Sequence, residues 1–110
     1  MSTLRNKVQL IGNLGNDPEI INLETGSKLA KFSLATNETY KNKKGERVTD
    51  TQWHNVVAWG KTAEIVENYV TKGKEIAVEG KLTSRSYETA AGEKRYVTQV
   101  VCNELLLLAK

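Results

Sequence analysis

The sequence predicts an all-β domain with a single helix, built as a five-stranded barrel. Apolar and polar residues alternate along five runs, as they do along strands that cover a core on one side. Only one stretch has the three-to-four-residue apolar spacing of a helix, and it lies between the third and fourth runs. Gly12 and Gly80 fall inside the first and fourth runs, where glycine lets a strand bend around a barrel.

The first half of the chain supplies three of the five strands. The first strand ends at a turn that contains the only proline, Pro18, and a short return strand follows it. The second strand alternates around Phe32, which we expect in the core. A polar, basic stretch with a turn at Gly45 then predicts a protruding hairpin before the third strand. In chain order, the predicted segments are residues 6–14, 19–23, 28–37, 38–50 and 52–59.

The second half supplies the helix and two further strands. The helix is predicted over residues 61–71, because its apolar residues form one stripe and Gly73 follows as a cap. The stripe comprises Ala63, Val66, Tyr69 and Val70. Strand four, residues 75–87, alternates with Ile76, Val78 and Leu82 toward the core, and strand five follows over residues 95–102. We expect the apolar end of the chain to extend strand five or to pack against a neighbour.

Five strands with one helix between strands three and four are the elements of the OB-fold. This fold is a partly open Greek-key barrel that binds oligonucleotides or oligosaccharides over strands two and three and the nearby loops. The 110 residues fit one such domain, so we expect residues 1–110 to fold as a unit.

Charge and composition narrow the function classes. The net charge is +3, and the predicted hairpin tip at residues 41–47 carries four cations against one carboxylate. A basic tip is typical of a solvated surface, but it also suits a polyanion. Cys102 is the only cysteine, which excludes an internal disulfide and predicts a small buried side chain. With no signal peptide or membrane span in the sequence, we expect a cytoplasmic location.

The third strand places both tryptophans of the chain on one face. Alternation puts Trp53, Asn55, Val57 and Trp59 in one row and leaves His54 in the other. Large aromatic residues in a row fill a core more often than they form a stacking surface, and periodicity alone leaves both interpretations open.

Several ordered blocks of the chain resemble the bacterial single-stranded DNA-binding proteins. The blocks are NKVQLIGNLGNDPE, FSLATNETY, TQWHNVVAWGKTAE, YVTKGKEIAVEGKL and RYVTQVV, and they extend from Asn6 to Val101. The resemblance implies an OB-fold subunit of a homotetramer that binds single-stranded DNA without strong sequence preference. It also implies a role in protecting that DNA during replication, recombination and repair.

The resemblance also implies which residues bind. Matched motif to motif, the aromatic residues that stack on bases are Tyr40, Trp53, Trp59 and Tyr87. Tyr40 and Tyr87 stand where the family commonly has tryptophan, and Trp59 stands where phenylalanine is common. His54 is placed at the interface between subunits. The expected phosphate-contacting cations are Arg5, Lys7, Lys31, Lys41, Lys43, Lys44, Arg47, Lys61, Lys72 and Arg85. Tyr69 and Tyr96 match no stacking position, so we expect the first to pack on the helix and the second to belong to the barrel.

Two other function classes are considered beside DNA binding. One is an OB-fold module for structured RNA, an oligosaccharide or a protein partner. The other is an enzyme, but the sequence has no glycine-rich phosphate loop, no carboxylates at metal spacing and no Ser, His and Asp arrangement. We therefore expect no catalytic residue, no metal and no cofactor.

The sequence departs from the family pattern at its end. Most members continue through a glycine- and proline-rich linker to an acidic tip that recruits other proteins, whereas this sequence ends at Lys110. We therefore expect DNA binding without the tail-dependent protein partners.

Overall fold

The computed structural model describes residues 4–108, so the first three and last two residues of the predicted domain lie outside it. In chain order the elements are a 3-10 helix Leu4–Asn6, β1 Val8–Leu14, β2 Glu19–Asn22, β3 Lys28–Lys41, β4 Arg47–Trp59, α1 Gly60–Tyr69, β5 Glu75–Glu88 and β6 Lys94–Leu107. The short return strand is β2, so the helix follows the fourth of six strands. It lies between the third and fourth of the five strands that form the barrel.

Five strands close the barrel in the order β1, β5, β6, β4, β3, and β3 returns to β1 through two residue pairs. β2 pairs with β3 outside this ring. The pairing of β4 with β6 is parallel and short, running from Val56 opposite Val100 to Ala58 opposite Cys102. The other strand pairs are antiparallel. The OB-fold barrel predicted from the element order is confirmed.

Two glycines allow backbones to meet closely inside the barrel. A Cβ atom on Gly12 would lie 2.1 Å from the carbonyl oxygen of Ala35, and one on Gly80 would lie 2.0 Å from that of Val101. Gly80 also lies at an irregularity in the pairing of β5 with β6. Glycine at these positions therefore lets the strands approach and bend where any larger residue would collide with backbone.

The core consists of the inward rows of the strands, closed at one end by the helix. Phe32 and Cys102 are buried in it, as predicted. Ala63, Val66 and Val70 are the buried residues of the helical stripe, but Tyr69 is 59% exposed, so its predicted packing role is wrong. Leu82 and Tyr96 were expected in the barrel, and both are exposed because they lie where β5 and β6 leave it.

Three hairpins close with the same turn. Gly26, Gly45 and Gly92 have φ values of 89°, 80° and 83°, in the left-handed region that favours glycine. Each donates its N–H to the carbonyl three residues earlier, at 2.9, 3.0 and 2.9 Å respectively. This pattern is a type I turn followed by a left-handed residue, and it fixes the strand register on both sides.

The β3–β4 and β5–β6 hairpins are the long ones, and both extend past the barrel. The β3–β4 hairpin confirms the predicted protruding hairpin, since its strands stay paired beyond the barrel, with Tyr40 opposite Val48. Within residues 4–108, no helix is both long and apolar enough to cross a membrane.

Candidate nucleic-acid interface

Both tryptophans lie on the outer face of the barrel. In the register of β3 with β4, Ala35 faces Trp53 and Leu29 faces Trp59, while the alternate pair of Phe32 and Val56 points into the core. Trp53 is 62% exposed and Trp59 is 49% exposed. The row predicted from the sequence is therefore a surface row, and the alternative that these rings fill the core is wrong.

Trp53 lies against the backbone of Gly15, just after β1. A Cβ on Gly15 would be 2.3 Å from Cζ3 and 2.8 Å from Cη2 of the indole, which is closer than atoms can approach. The Gly15 N–H donates to the Ser33 carbonyl at 3.0 Å, so the glycine is held in the sheet beneath the ring. The absence of a side chain at residue 15 thus sets where the indole lies.

The two residues after Gly15 form hydrogen bonds that connect this segment to β3 and to the loop after α1. The Asn16 side-chain oxygen accepts the N–H of Ser33 at 3.3 Å, and the Asp17 carboxylate accepts the N–H of Lys72 at 2.9 Å. Lys72 therefore lies in a loop that is hydrogen-bonded to the segment under Trp53.

Tyr87 shares the outer face with the two tryptophans. The parallel pairing puts Val101 beside Val57, which belongs to the tryptophan row and is itself buried. Alternate residues of a strand share one face, so Val101, Gln99, Val97 and Arg95 of β6 lie on the same side. Arg95 pairs with Tyr87, which places Tyr87 on this face as well. Tyr87 is 51% exposed, so one continuous outer face carries three of the four predicted stacking residues.

Tyr40 extends from the other face of its hairpin. It pairs with Val48 in the same alternating set as Phe32 and Val56, which point inward where the strands belong to the barrel. Beyond the barrel that face is open, and Tyr40 is 53% exposed. The four predicted stacking residues are therefore all accessible, but they do not lie on a single face.

The tip of the β3–β4 hairpin is basic and ordered by one side chain. The Asn42 side-chain oxygen accepts the backbone N–H groups of Lys44 and Glu46, both at 2.9 Å. Its amide donates to the Glu46 carboxylate at 3.2 Å. The exposed cations of the tip are Lys41, Lys43, Lys44 and Arg47.

Apart from Lys72 in the loop after α1, the remaining predicted cations divide into two groups. Lys31 and Arg85 lie on the outer face, opposite Val57 and Val97, and Lys61 follows Trp59 in the first turn of α1. Lys7 lies beside β5 instead, with its ammonium 3.7 Å from the Glu79 carboxylate, and Arg5 lies in the 3-10 helix before β1. The structure thus brings most of the predicted cations to the aromatic residues and leaves Arg5 and Lys7 apart from the outer face of β3 and β4.

His54 is half-buried on the inward row of β4, opposite Leu34. Its Nε2 is 3.0 Å from the Thr36 hydroxyl, so the ring has a local hydrogen-bond partner. Residues 4–108 contain no group of three or more His, Cys, Asp or Glu side chains that could hold a metal ion. The predicted position of His54 at an interface between subunits stays a prediction.

Sequence reasoning missed Gly15 and an apolar patch on the outer face of β1, β5 and β6. Ile11 and Leu106 are 60% and 63% exposed there, on either side of Ala77 in the same cross-strand row. Alternation along β1 is enough to put Ile11 on the outward side, but the sequence does not show that three outward apolar positions meet. For Gly15, the only signal was its position directly after the first strand.

Comparisons with known proteins agree with this geometry. The single-strand binding protein family matches residues 5–108. The chain is 43% identical over 104 residues to single-stranded DNA-binding protein 1 of Chlorobaculum tepidum, which covers 94% of this chain and 64% of that protein. It is 44% identical over 106 residues to single-stranded DNA-binding protein 1 of Xylella fastidiosa, covering 96% and 78%. The chain therefore spans less than two thirds of the Chlorobaculum protein.

Among solved structures, Plasmodium falciparum SSB in its complex with ssDNA has a TM-score of 0.88 to this chain. The two sequences are 30% identical, and the match covers 99% of each chain.

Proposed function

This chain belongs to the single-strand binding protein family, and on that premise we propose that it binds single-stranded DNA without strong sequence preference. Its role is to protect such DNA during replication, recombination and repair, the general roles of the family. The observation that carries the proposal is the pair of exposed indoles, Trp53 and Trp59, on the outer face of an OB-fold barrel. Members of this family bind DNA rather than transform it, so the chain is not an enzyme.

Base stacking supplies the affinity in this mechanism. An unpaired base placed on an aromatic ring loses contact with water on that side, and every base offers such a face, so the contact tolerates any sequence. In single-strand binding proteins as a class, base–aromatic stacking is known to contribute about 1–3 kcal/mol per base. Tyr40, Trp53, Trp59 and Tyr87 are the proposed stacking residues.

Cations supply the second part of the mechanism. Lysine and arginine side chains pair with phosphates and release the counterions that surround the DNA, so affinity falls as salt rises. The ordered tip at residues 41–47 offers four such side chains without an ion pair of its own among the described residues. Lys31 and Arg85 share the outer face with the tryptophans and Tyr87, and Lys61 follows Trp59 by two residues. We assign these three cations to the phosphates between stacked bases.

The test is a titration of tryptophan fluorescence with poly(dT) at several salt concentrations. We expect strong quenching, because both tryptophans of the chain are in the proposed site, and an affinity whose logarithm falls linearly with the logarithm of salt concentration. Trp53→Ala should weaken binding about 5- to 150-fold. No quenching by poly(dT) at low salt, with quenching by structured RNA or an oligosaccharide, would identify a different ligand.

We propose further that the protein is a homotetramer. β1 pairs with β5 on one edge but with β3 only at Asn13 and Leu14, so residues 8–12 have a free edge among the described strands. An unpaired edge is completed by a second copy more readily than by water. The apolar patch with Ile11 and Leu106 is a second surface, on the outward face of β1 rather than at its edge. Two different self-complementary contacts generate a tetramer with three twofold axes.

Light scattering at micromolar protein concentration tests this assembly. We expect four times the mass of one chain, and a smaller assembly for Ile11→Glu, because a carboxylate would be buried in the apolar contact. His54 is assigned to the contact made through the β1 edge, so His54→Ala should also weaken assembly. If the wild type is a monomer, the proposed tetramer is wrong, but the proposal of DNA binding is not contradicted. We place the protein in the cytoplasm, associated with the nucleoid where single-stranded DNA is exposed.

A further inference from the structure

The β5–β6 hairpin continues past the barrel as a two-stranded ribbon. β1 begins at Val8, which pairs with Gly80. Beyond this pair the Asn6 side chain takes the place of a strand, donating to the Leu82 carbonyl at 3.0 Å and accepting the Leu82 N–H at 2.9 Å. On the other side, β4 pairs with β6 only as far as Val100. Residues 83–88 and 94–99 therefore have no further strand at either edge within the described chain. Two strands alone are marginally stable, so this length adds little to the fold itself.

The two faces of this ribbon both carry an aromatic residue. Tyr87 lies on the outer face, opposite Arg95. Tyr96 lies on the second face, opposite Ser86, and is 73% exposed, more than any other large apolar side chain in the described chain. The β3–β4 hairpin has the same arrangement, with Trp53 on its outer face and Tyr40 on the other.

A lysine adjoins Tyr96 on the second face. Lys94 precedes it by two residues on the same strand, so both side chains leave from one face. Lys94 pairs in register with Glu88, yet no ion pair of Lys94 within 4.0 Å is found among the described residues. Tyr96 also has the hydroxyl side chains of Ser84 and Thr98 beside it on this face, with their oxygens 3.2 Å apart, and the Glu88 carboxylate diagonally across the ribbon.

An aromatic ring beside a lysine ammonium provides the two contacts that one nucleotide needs. We propose that Tyr96 and Lys94 form a further nucleotide-binding position, in which the base stacks on Tyr96 and a phosphate pairs with Lys94. This inference rests on the proposed function. Tyr96 directly follows Arg95, the cross-strand partner of Tyr87, so the two rings are neighbours along the ribbon on different faces. The occupant is therefore the same DNA strand that stacks on Tyr87. A strand that passes around the ribbon meets the two rings in succession.

The test compares two exposed tyrosines in poly(dT) titrations. Tyr96→Ala should weaken binding about fivefold, the lower end of the effect of removing a stacking ring, and Tyr96→Phe should bind like the wild type. Tyr69→Ala is the matched control, because Tyr69 is 59% exposed but lies at the end of α1. Lys94→Ala should reduce the slope of log affinity against log salt by about one. With short oligo(dT) that cannot reach the second face, Tyr96→Ala should bind as the wild type does.

The outcomes separate this inference from the proposed function. If the wild type binds poly(dT) but Tyr96→Ala matches Tyr69→Ala, the second-face position is wrong and the proposed function stands. If Tyr96→Ala changes the assembly state in light scattering, the ring contacts another copy of the chain and the inference is overturned. If the wild type does not bind poly(dT), the proposed function itself fails.

Discussion

Replacing Gly15 with alanine should move Trp53 without unfolding the protein. The new Cβ would lie 2.3 Å from Cζ3 of the indole, whereas ordinary contact begins near 3.4 Å, so the ring has to retreat by about 1 Å. The backbone of Gly15 is not in the left-handed region, so alanine fits its conformation. Because the indole is 62% exposed, it can tilt toward solvent and leave the core unchanged.

The expected loss of affinity follows from that displacement. A gap of about 0.5–1 Å removes about a quarter to a half of the attraction between two packed atoms. Applied to a stacking contact of about 1–3 kcal/mol, this gives a loss of about 0.3–1.5 kcal/mol, or roughly 2- to 12-fold in affinity. The thermal midpoint should change by less than about 4 °C, since surface changes usually cost under about 0.5 kcal/mol.

The assay uses the chain with Trp59→Phe, in which Trp53 is the only fluorescent indole. Adding Gly15→Ala to this background should shift the emission of Trp53 and weaken poly(dT) binding, while the melting curve stays close to that of the parent. Unchanged emission together with unchanged affinity would refute the idea that Gly15 sets the position of the ring. A large drop in melting temperature would show instead that Gly15 is needed for the fold.

Three further changes test other parts of the structure. Gly80→Ala should lower the thermal midpoint by several degrees, because the Cβ would meet the Val101 carbonyl oxygen at 2.0 Å, and a midpoint equal to wild type would contradict that contact. Asn42→Ala should leave the midpoint nearly unchanged but loosen the basic tip, seen as faster amide exchange at Lys44. Burial raises the pKa of the Cys102 thiol to about 11, so it should resist thiol reagents at pH 8 until the protein is denatured. This raised pKa contributes stability that is fully present below pH 9 and is lost as pH rises through 11. The urea midpoint of the wild type should therefore fall more than that of Cys102→Ala between pH 8 and 11, and an equal fall in the two proteins would contradict the raised pKa.

Local patterns predicted the elements well because each pattern depends on residues that are close in sequence. Alternation identified the tryptophan row, and Phe32 and Cys102 lie in the core where it placed them. The three turns could also be read locally, since a left-handed glycine is needed wherever these hairpins reverse. The resemblance to a known family then supplied the function of the row.

Features that depend on contacts between distant segments were missed or wrong. Leu82 and Tyr96 alternate like core residues, but alternation does not reveal where a strand leaves the barrel. The contact of Gly15 with Trp53 joins segments nearly forty residues apart. Tyr40 and Trp53 lie on different faces of the β3–β4 hairpin because the register between the two strands is unbroken, and only the structure shows that register.

The parallel seam between β4 and β6 has a thermodynamic consequence. It consists of three residue pairs, and among the described strands it is the only direct pairing between the hairpin that carries Trp53 and the hairpin that carries Tyr87. A nucleic acid that contacts both hairpins would act as a cross-link over this short seam, and any ligand that favours the native state adds about 2.7 kcal/mol at one hundred times its dissociation constant. The melting temperature should therefore climb in a step once oligonucleotides become long enough to bridge the two hairpins, rather than smoothly with each added nucleotide.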